Sequence, residues 1–336
     1  MTTLIYHAGA LGDFIITLPA LRYWKSRHPS ERTVLLGIPA FGTLAKGACL
    51  TDDVFDVNSR AFLPLFHDQF SPEAEKILSP FSSAIVFSDH DSPLIRNIHA
   101  SGINDVRWQP PFHAMRMHAV DYHLSLFTDP GLLDEKCKVP QVSPSAADLA
   151  KAAEFLTLEG EIIAIHPGSG SAKKSWSFDS FLELGRLLKQ NGFSIIWIKG
   201  PAEESLAFPE SDRTVTGLRL PVLAALLSQC RAFIGNDSGV THLAAAAGCP
   251  TVAIFGPSDP AVWGPRGRNV SIIHKQDICT PCHRTPRQNE RCSGSCLAAI
   301  TVEKVFTVLL TKTEGNRGDV GGASIFSVFG IPQDSH

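Results

Sequence analysis

Apolar residues along this chain fall in short runs that alternate with amphipathic stretches. A parallel sheet with crossover helices reads this way. In the first half the runs predict strands over 3–7, 33–37, 54–57 and 84–88, with a helix from Asp13 to about residue 27. Pro19 lies inside that helix and is expected to kink it, because proline removes a backbone donor. A helix-like stretch covers 118–127, and a Pro- and Ser-containing linker near 139–148 opens a helix to about 158. The alternation then restarts. Strands are predicted over 161–166, 193–199, 232–235 and 251–255, and helices over 177–190, 220–229 and 238–247. The pattern divides the chain into an α/β domain over 1–145, a second over 146–312, and a Gly-rich mobile tail over 313–336. A cleft between two such domains is the natural place for a site. A last helix near 301–310 is expected to pack close to the region between the domains.

Composition narrows the class. Of 336 residues 44% are hydrophobic and 19% charged, and 30 Lys and Arg stand against 33 Asp and Glu, a net charge of −3. That balance excludes a disordered chain and gives no basic face for nucleic acid. The longest apolar stretch, 243–256, falls short of the ~18 residues of a membrane span. The start of the chain lacks a basic segment, and Asp13 interrupts its apolar run, so no secretory signal is expected. A soluble, cytoplasmic, monomeric protein is the expectation.

Three strand-to-helix junctions carry the chemistry. The first reads HAGALGD, with Gly9 and Gly12 flanking a tight turn and Asp13 at the predicted helix start. Asp13 is either a helix cap or a proton acceptor, and its carboxylate argues against phosphate binding there. The helix dipole is expected to keep its pKa low. The glycines do not match a dinucleotide fingerprint. The second junction, HPGSGSAKKSWS, sets Gly168, Ser169, Gly170 and Ser171 before Lys173 and Lys174. Small residues admit an oxyanion to backbone N–H groups, and the lysines supply charge. The third, GNDSGVTHLAAAAGCP, has Asp237 or Ser238 as cap, Gly239 opening the backbone and His242 one turn on.

These motifs together, GALGDFIITLPAL, HPGSGSAKKSW and FIGNDSGVTHLAAAAGCPTVAIFGPSDPAVWGP, resemble glycosyltransferase family 9, the lipopolysaccharide heptosyltransferase family. The resemblance implies a GT-B fold of two Rossmann-like domains facing across a cleft. It implies an inverting, metal-independent transfer of a sugar, heptose from ADP-heptose, onto a lipopolysaccharide-core or related glycan acceptor at the inner face of the cytoplasmic membrane, with peripheral association. Asp13 then corresponds to the catalytic base, beside Gly9 and Gly12 of the acceptor loop. Ser169, Gly170 and Lys174 (with Lys173 as its competitor) correspond to the diphosphate site. Glu203, or its neighbour Glu204, corresponds to the ribose or base contact, and Asp237, Ser238, Gly239 and His242 surround the nucleotide. Cationic charge and the helix N-termini at Ser169 and Ser238 are expected to stabilise the leaving diphosphate in place of a metal. Two positions depart from the family: His7 stands where a basic residue often precedes the first loop, and the run from His113 to His118 matches no acceptor signature.

Eight cysteines include Cys279, Cys282, Cys292 and Cys296, whose spacing suits a structural tetrahedral zinc site, with reduced, unligated thiols or adventitious disulfides as the alternatives, away from the active site. No cofactor is expected beyond the nucleotide-sugar, which is a substrate. The alternative functions are a nucleotide-sugar epimerase on the same fold and a nucleotide- or carbohydrate-binding relative without catalysis.

Overall fold

The computed structural model describes residues 1–111, 116–275 and 295–314. The first half forms a parallel sheet from β1 (Thr2–His7), β2 (Arg32–Gly37), β3 (Asp53–Asp56), β4 (Ser83–Phe87) and β5 (Asp105–Gln109), in the order β3-β2-β1-β4-β5. The helices α1 (Leu11–Arg27), α2 (Pro39–Gly47), α3 (Pro72–Leu78), α4 (Pro93–Ala100) and α5 (Ala119–Leu124) accompany it. After α6 (Ala146–Ala153), the second half builds β6 (Ile162–His166), α7 (Phe178–Gln190), β7 (Ser194–Lys199), β8 (Arg213–Thr216), α8 (Leu220–Gln229), β9 (Ala232–Asn236), α9 (Gly239–Ala246), β10 (Thr251–Phe255), α10 (Pro260–Trp263) and β11 (Val270–His274). Its strand order is β11-β10-β9-β6-β7-β8, and the chain ends in α11 (Ser295–Ala298) and α12 (Val302–Glu314). All described strand pairings are parallel.

Burial explains the arrangement. Strands β6, β9 and β10 are buried at every position, as parallel strands covered on both faces must be. One apolar core runs through both halves: Ile5, Phe14, Leu18 and Leu44 belong to the same cluster as Ala164, Leu223, Leu226 and Leu243. Within it α1 lies on α9 and α2 on α8.

Several expectations need correction. α1 starts at Leu11, so Asp13 is its third residue. α6 stops at Ala153, where it packs on α8, rather than near 158. The helix predicted over 118–127 is α5, with His118 outside it as the N-cap. The final helix packs on α7, β9 and β10 and shares a core drawn entirely from the second half, so it lies away from the region between the domains. Thr313 is buried within that helix, and the rest of the expected tail lies beyond the described residues, except for Glu314 at the helix end. No helix among the described residues is long and apolar enough to cross a membrane.

Candidate active site

In each sheet the strand order reverses beside one central strand, and a doubly wound sheet offers its ligand crevice at that reversal. In the first sheet it falls between β1 and β4, in the second between β9 and β6. The three junctions singled out in the sequence follow β1, β6 and β9. They converge on one cavity of about 470 Å³ lined by Asp13, Lys174, Asp237, Ser238, His242 and Trp263, among others.

Two helix N-termini, one from each domain, meet at its floor. A Cβ on Gly239 would come within 2.8 Å of Leu11 Cβ and 3.0 Å of the Gly12 nitrogen. Gly12 in turn faces His242 and the Gly239 backbone. Glycine is required at this crossing because the two backbones touch there. On α1 the Asp13 carboxylate reaches back to accept from the Ala10 N–H at 3.2 Å. Asp13 is therefore a cap and a cavity-lining group at once. Its pKa is raised from the usual carboxylate value, chiefly by burial and further by Asp237, while the Ala10 hydrogen bond and Lys174 oppose the shift. The low pKa expected from the dipole is thus overturned by desolvation.

On α9 the cap is Ser238, whose hydroxyl accepts from the Thr241 N–H at 3.3 Å. Asp237 turns away from the helix end and lies 2.8 Å from Lys174 Nζ, a charge contact that singles out Lys174 within the pair. Lys173 also lines the cavity. His242 is buried, which pushes its pKa down to about 4 despite the pull of Asp237, so the ring is neutral near pH 7.

The loop after β6 differs from expectation. Helix α7 begins only at Phe178, capped by Ser177, so its dipole does not point at Ser169. The loop instead folds on itself: Ser169 Oγ donates to the Ser171 carbonyl at 2.5 Å and contacts Ser175 Oγ at 2.9 Å. Gly170, Ser171, Lys173 and Lys174 line the cavity, whereas Ser169 supports them from behind. Ala10 and Gly12 line it on the other side, and Gly9 sits behind Asp13.

Glu203 is 2% exposed and does not line the cavity. One carboxylate oxygen accepts from the Gly200 N–H at 2.7 Å, and the other fills the space a Gly168 Cβ would need, at 1.7 Å. In this structure Glu203 props the β6 loop, and Glu204 is exposed. The strut that sequence reading missed is Asn236. Its side chain accepts from the Trp176 N–H at 2.9 Å and donates to the Pro167 carbonyl at 2.7 Å, tying both ends of the loop to β9. Its place directly before Asp237 in GND is the signal that could have found it.

His7 is buried edge-on against Phe14 and Phe87, and burial holds its pKa at about 4, so it contributes no cation. Of the run from His113 to His118, Arg116 and His118 bond across to the second domain. Cys279, Cys282 and Cys292 lie outside the described residues, and Cys296 is buried with the second-half core. Among the described residues no group of three or more His, Cys, Asp or Glu is disposed to hold a metal. The expectation that the chain holds no Asp-x-Asp motif is wrong, because Asp89-His90-Asp91 is one. His90 Nδ1 lies 3.0 Å from Asp91 Oδ1 there, and the tripeptide is absent from the cavity lining.

Solved structures with this architecture include a glycosyl transferase family 9 protein from Veillonella parvula, with TM-score 0.76 and 18% identity over 94% of this chain and 97% of that one. ADP-heptose lps heptosyltransferase II of E. coli superposes with TM-score 0.71 and 18% identity, covering 95% of this chain and 100% of the other. Both likenesses establish the two-domain GT-B fold. In sequence, the chain is 27% identical to lipopolysaccharide heptosyltransferase 3 of Escherichia coli K12 over 48% of its length, and 27% identical to lipopolysaccharide heptosyltransferase 2 of Salmonella typhimurium over 56%. These matches span 49% and 60% of the two curated relatives, so the chain covers between about half and three-fifths of their length. The family model for glycosyltransferase family 9 (heptosyltransferase) matches residues 103–292, more than half of the chain, across the β6 and β9 junctions that build the cavity. This chain belongs to glycosyltransferase family 9.

Proposed function

We propose that the chain is an inverting glycosyltransferase that moves a sugar, heptose from ADP-heptose being the favoured case, onto a hydroxyl of a lipopolysaccharide-core acceptor. One observation carries the reading. A carboxylate from the first domain and a lysine, a neutral-capped helix N-terminus and a neutral histidine from the second share one cavity. Family membership and the names of the relatives support the donor and acceptor classes.

The acceptor hydroxyl attacks the anomeric carbon while its proton passes to Asp13. The bond from that carbon to the diphosphate oxygen breaks, and the electron pair leaves with the nucleoside diphosphate. The upward pKa shift of Asp13 suits this step, because a carboxylate with raised proton affinity is the better base. Charge growing on the leaving diphosphate meets Lys174 and the N–H groups opening α9, where dipole and ammonium act on the same side. The diphosphate therefore competes with Asp237 for Lys174.

The test is transfer from ADP-heptose to a lipid A–Kdo acceptor by the full chain and by Asp13→Asn. Formation of an inverted glycosidic bond, lost in the variant while ADP still binds, supports the reading. Conversion of the donor with no acceptor present would replace it with an epimerase. Nucleotide binding without turnover on a panel of nucleotide-sugars and acceptors would leave a binding protein.

A further inference from the structure

The polar side of the cavity accounts for a base and a diphosphate, but the apolar side has no role yet. It is formed by Ile16, Pro257 and Trp263. Ile16 stands one turn beyond Asp13 on the same face of α1. Trp263 comes from the second domain and packs into a first-domain cluster of Ile16, Ala20, Ala119, Val120 and Leu124. A sugar ring lying between Asp13 and the diphosphate cradle shares the cavity with these side chains.

We propose that Trp263 is the platform on which the transferred sugar ring rests, and that the first domain sets its position by holding both ends of α10. This inference rests on the transferase reading above. An indole offers a large flat apolar face to the C–H face of a pyranose, which leaves the ring hydroxyls turned toward the charged side of the cavity.

The positioning follows from the contacts at α10. A helix of four residues has little stability of its own, so its neighbours decide where it points. At its N-terminal end Asp259 caps Ala261 through one carboxylate oxygen at 3.0 Å, and the other receives Arg116 Nε at 3.1 Å. At its C-terminal end the Gly264 carbonyl accepts from His118 Nε2 at 2.9 Å. The other ring nitrogen of His118 accepts from the Val120 N–H at 3.1 Å, which fixes the tautomer and makes the same histidine the cap of α5. Two residues beyond Gly264, Arg266 makes a two-pronged contact with Asp121 at 2.8 and 2.5 Å. Three side chains between positions 116 and 121 thus grip the segment from 259 to 266 on either side of Trp263.

Calorimetry of the full chain with ADP and with ADP-heptose tests this. Trp263→Ala should weaken ADP-heptose about tenfold and leave ADP unchanged, and Trp263→Phe should recover most of the loss. Trp263→Leu keeps the apolar packing against Ile16 without the ring, and should behave like Trp263→Ala. Asp121→Ala should reduce ADP-heptose binding alone, with no further loss when added to Trp263→Ala, because both act through one side chain. Equal weakening of both ligands, or of neither, in the leucine variant would overturn the platform while sugar transfer by the unaltered chain kept the transferase reading intact. An additive loss in the double variant would overturn the positioning role. Absence of both transfer and ADP-heptose binding in the unaltered chain would remove the transferase reading and this inference together.

Discussion

Helices α1 and α9 begin in nearly the same way and do opposite things. Each follows a central strand through a short turn, and their first residues touch at Gly12 and Gly239. On α1 a carboxylate, Asp13, occupies the first turn and answers the helix dipole with negative charge. On α9 the cap is the neutral Ser238, and the neighbouring carboxylate, Asp237, is directed to Lys174. A helix start already holding a carboxylate repels a phosphate and offers a base. One with a hydroxyl cap keeps its positive end for an anion. On the proposed function, the sign of one side chain in the first turn divides the labour between two otherwise equivalent ends.

The comparison breaks most sharply at Asp13. Replacing it with Ala should lower kcat by roughly 10²–10⁴, the usual contribution of a general base, with little change in donor KM. Steady-state kinetics at saturating acceptor would measure it, and a near-normal kcat would reduce Asp13 to its capping role. Removing the cation opposite comes next. Lys174→Ala should weaken nucleoside diphosphate binding by about 10- to 100-fold, the worth of a charge-assisted hydrogen bond, as read by calorimetry. Making α9 resemble α1 is a subtler change. Ser238→Asp should hold the melting temperature, since Asp and Ser cap equally well, yet weaken ADP binding by about tenfold or more. Unchanged ADP affinity in that variant would sink the division of labour between the helices.

The smallest effect is on pH dependence. Asp13 must be ionised to accept a proton, so activity should fall as pH drops through its pKa. With that pKa raised by burial, the acid limb of kcat/KM should lie higher than an unperturbed aspartate would place it. His242, held at about 4, should not contribute a limb between pH 5 and 8.

Much of this was legible in the sequence where burial is uniform. Strands β6, β7, β9 and β10 are continuous apolar runs, and their ends and the loops after them could be read within a residue or two. The edge strands β8 and β11 each bury one position, so their sequences, RTVT and VSIIH, carry little periodic signal. Strand β5, DVRWQ, was missed for the same reason. In the site, residue types and local spacing were enough to single out Asp13, Lys174 and the Ser238 cap, which the structure brings to one cavity. The pKa of Asp13 was misjudged because burial and the charge of Asp237, more than two hundred residues away, are not encoded in its local sequence. The grip on α10 was invisible for a similar reason: its hydrogen bonds join residues 143 to 146 positions apart. No local pattern encodes such a pairing.

The apolar core shared by both halves has a consequence for anyone who would rebuild this molecule by parts. Phe14, Leu18 and Leu44 need Leu223, Leu226 and Leu243 as their inner surface. A fragment beginning near residue 145 would expose that seam to water, so it is a poor vehicle for measuring nucleotide binding alone. Large apolar seams of this kind also suppress independent domain motion. Chimaeras that exchange one half between relatives should therefore work only when α1 and α2 travel with their matched α8 and α9. Changes at the rim of this fixed seam would leave the halves in place, whereas changes across it would not.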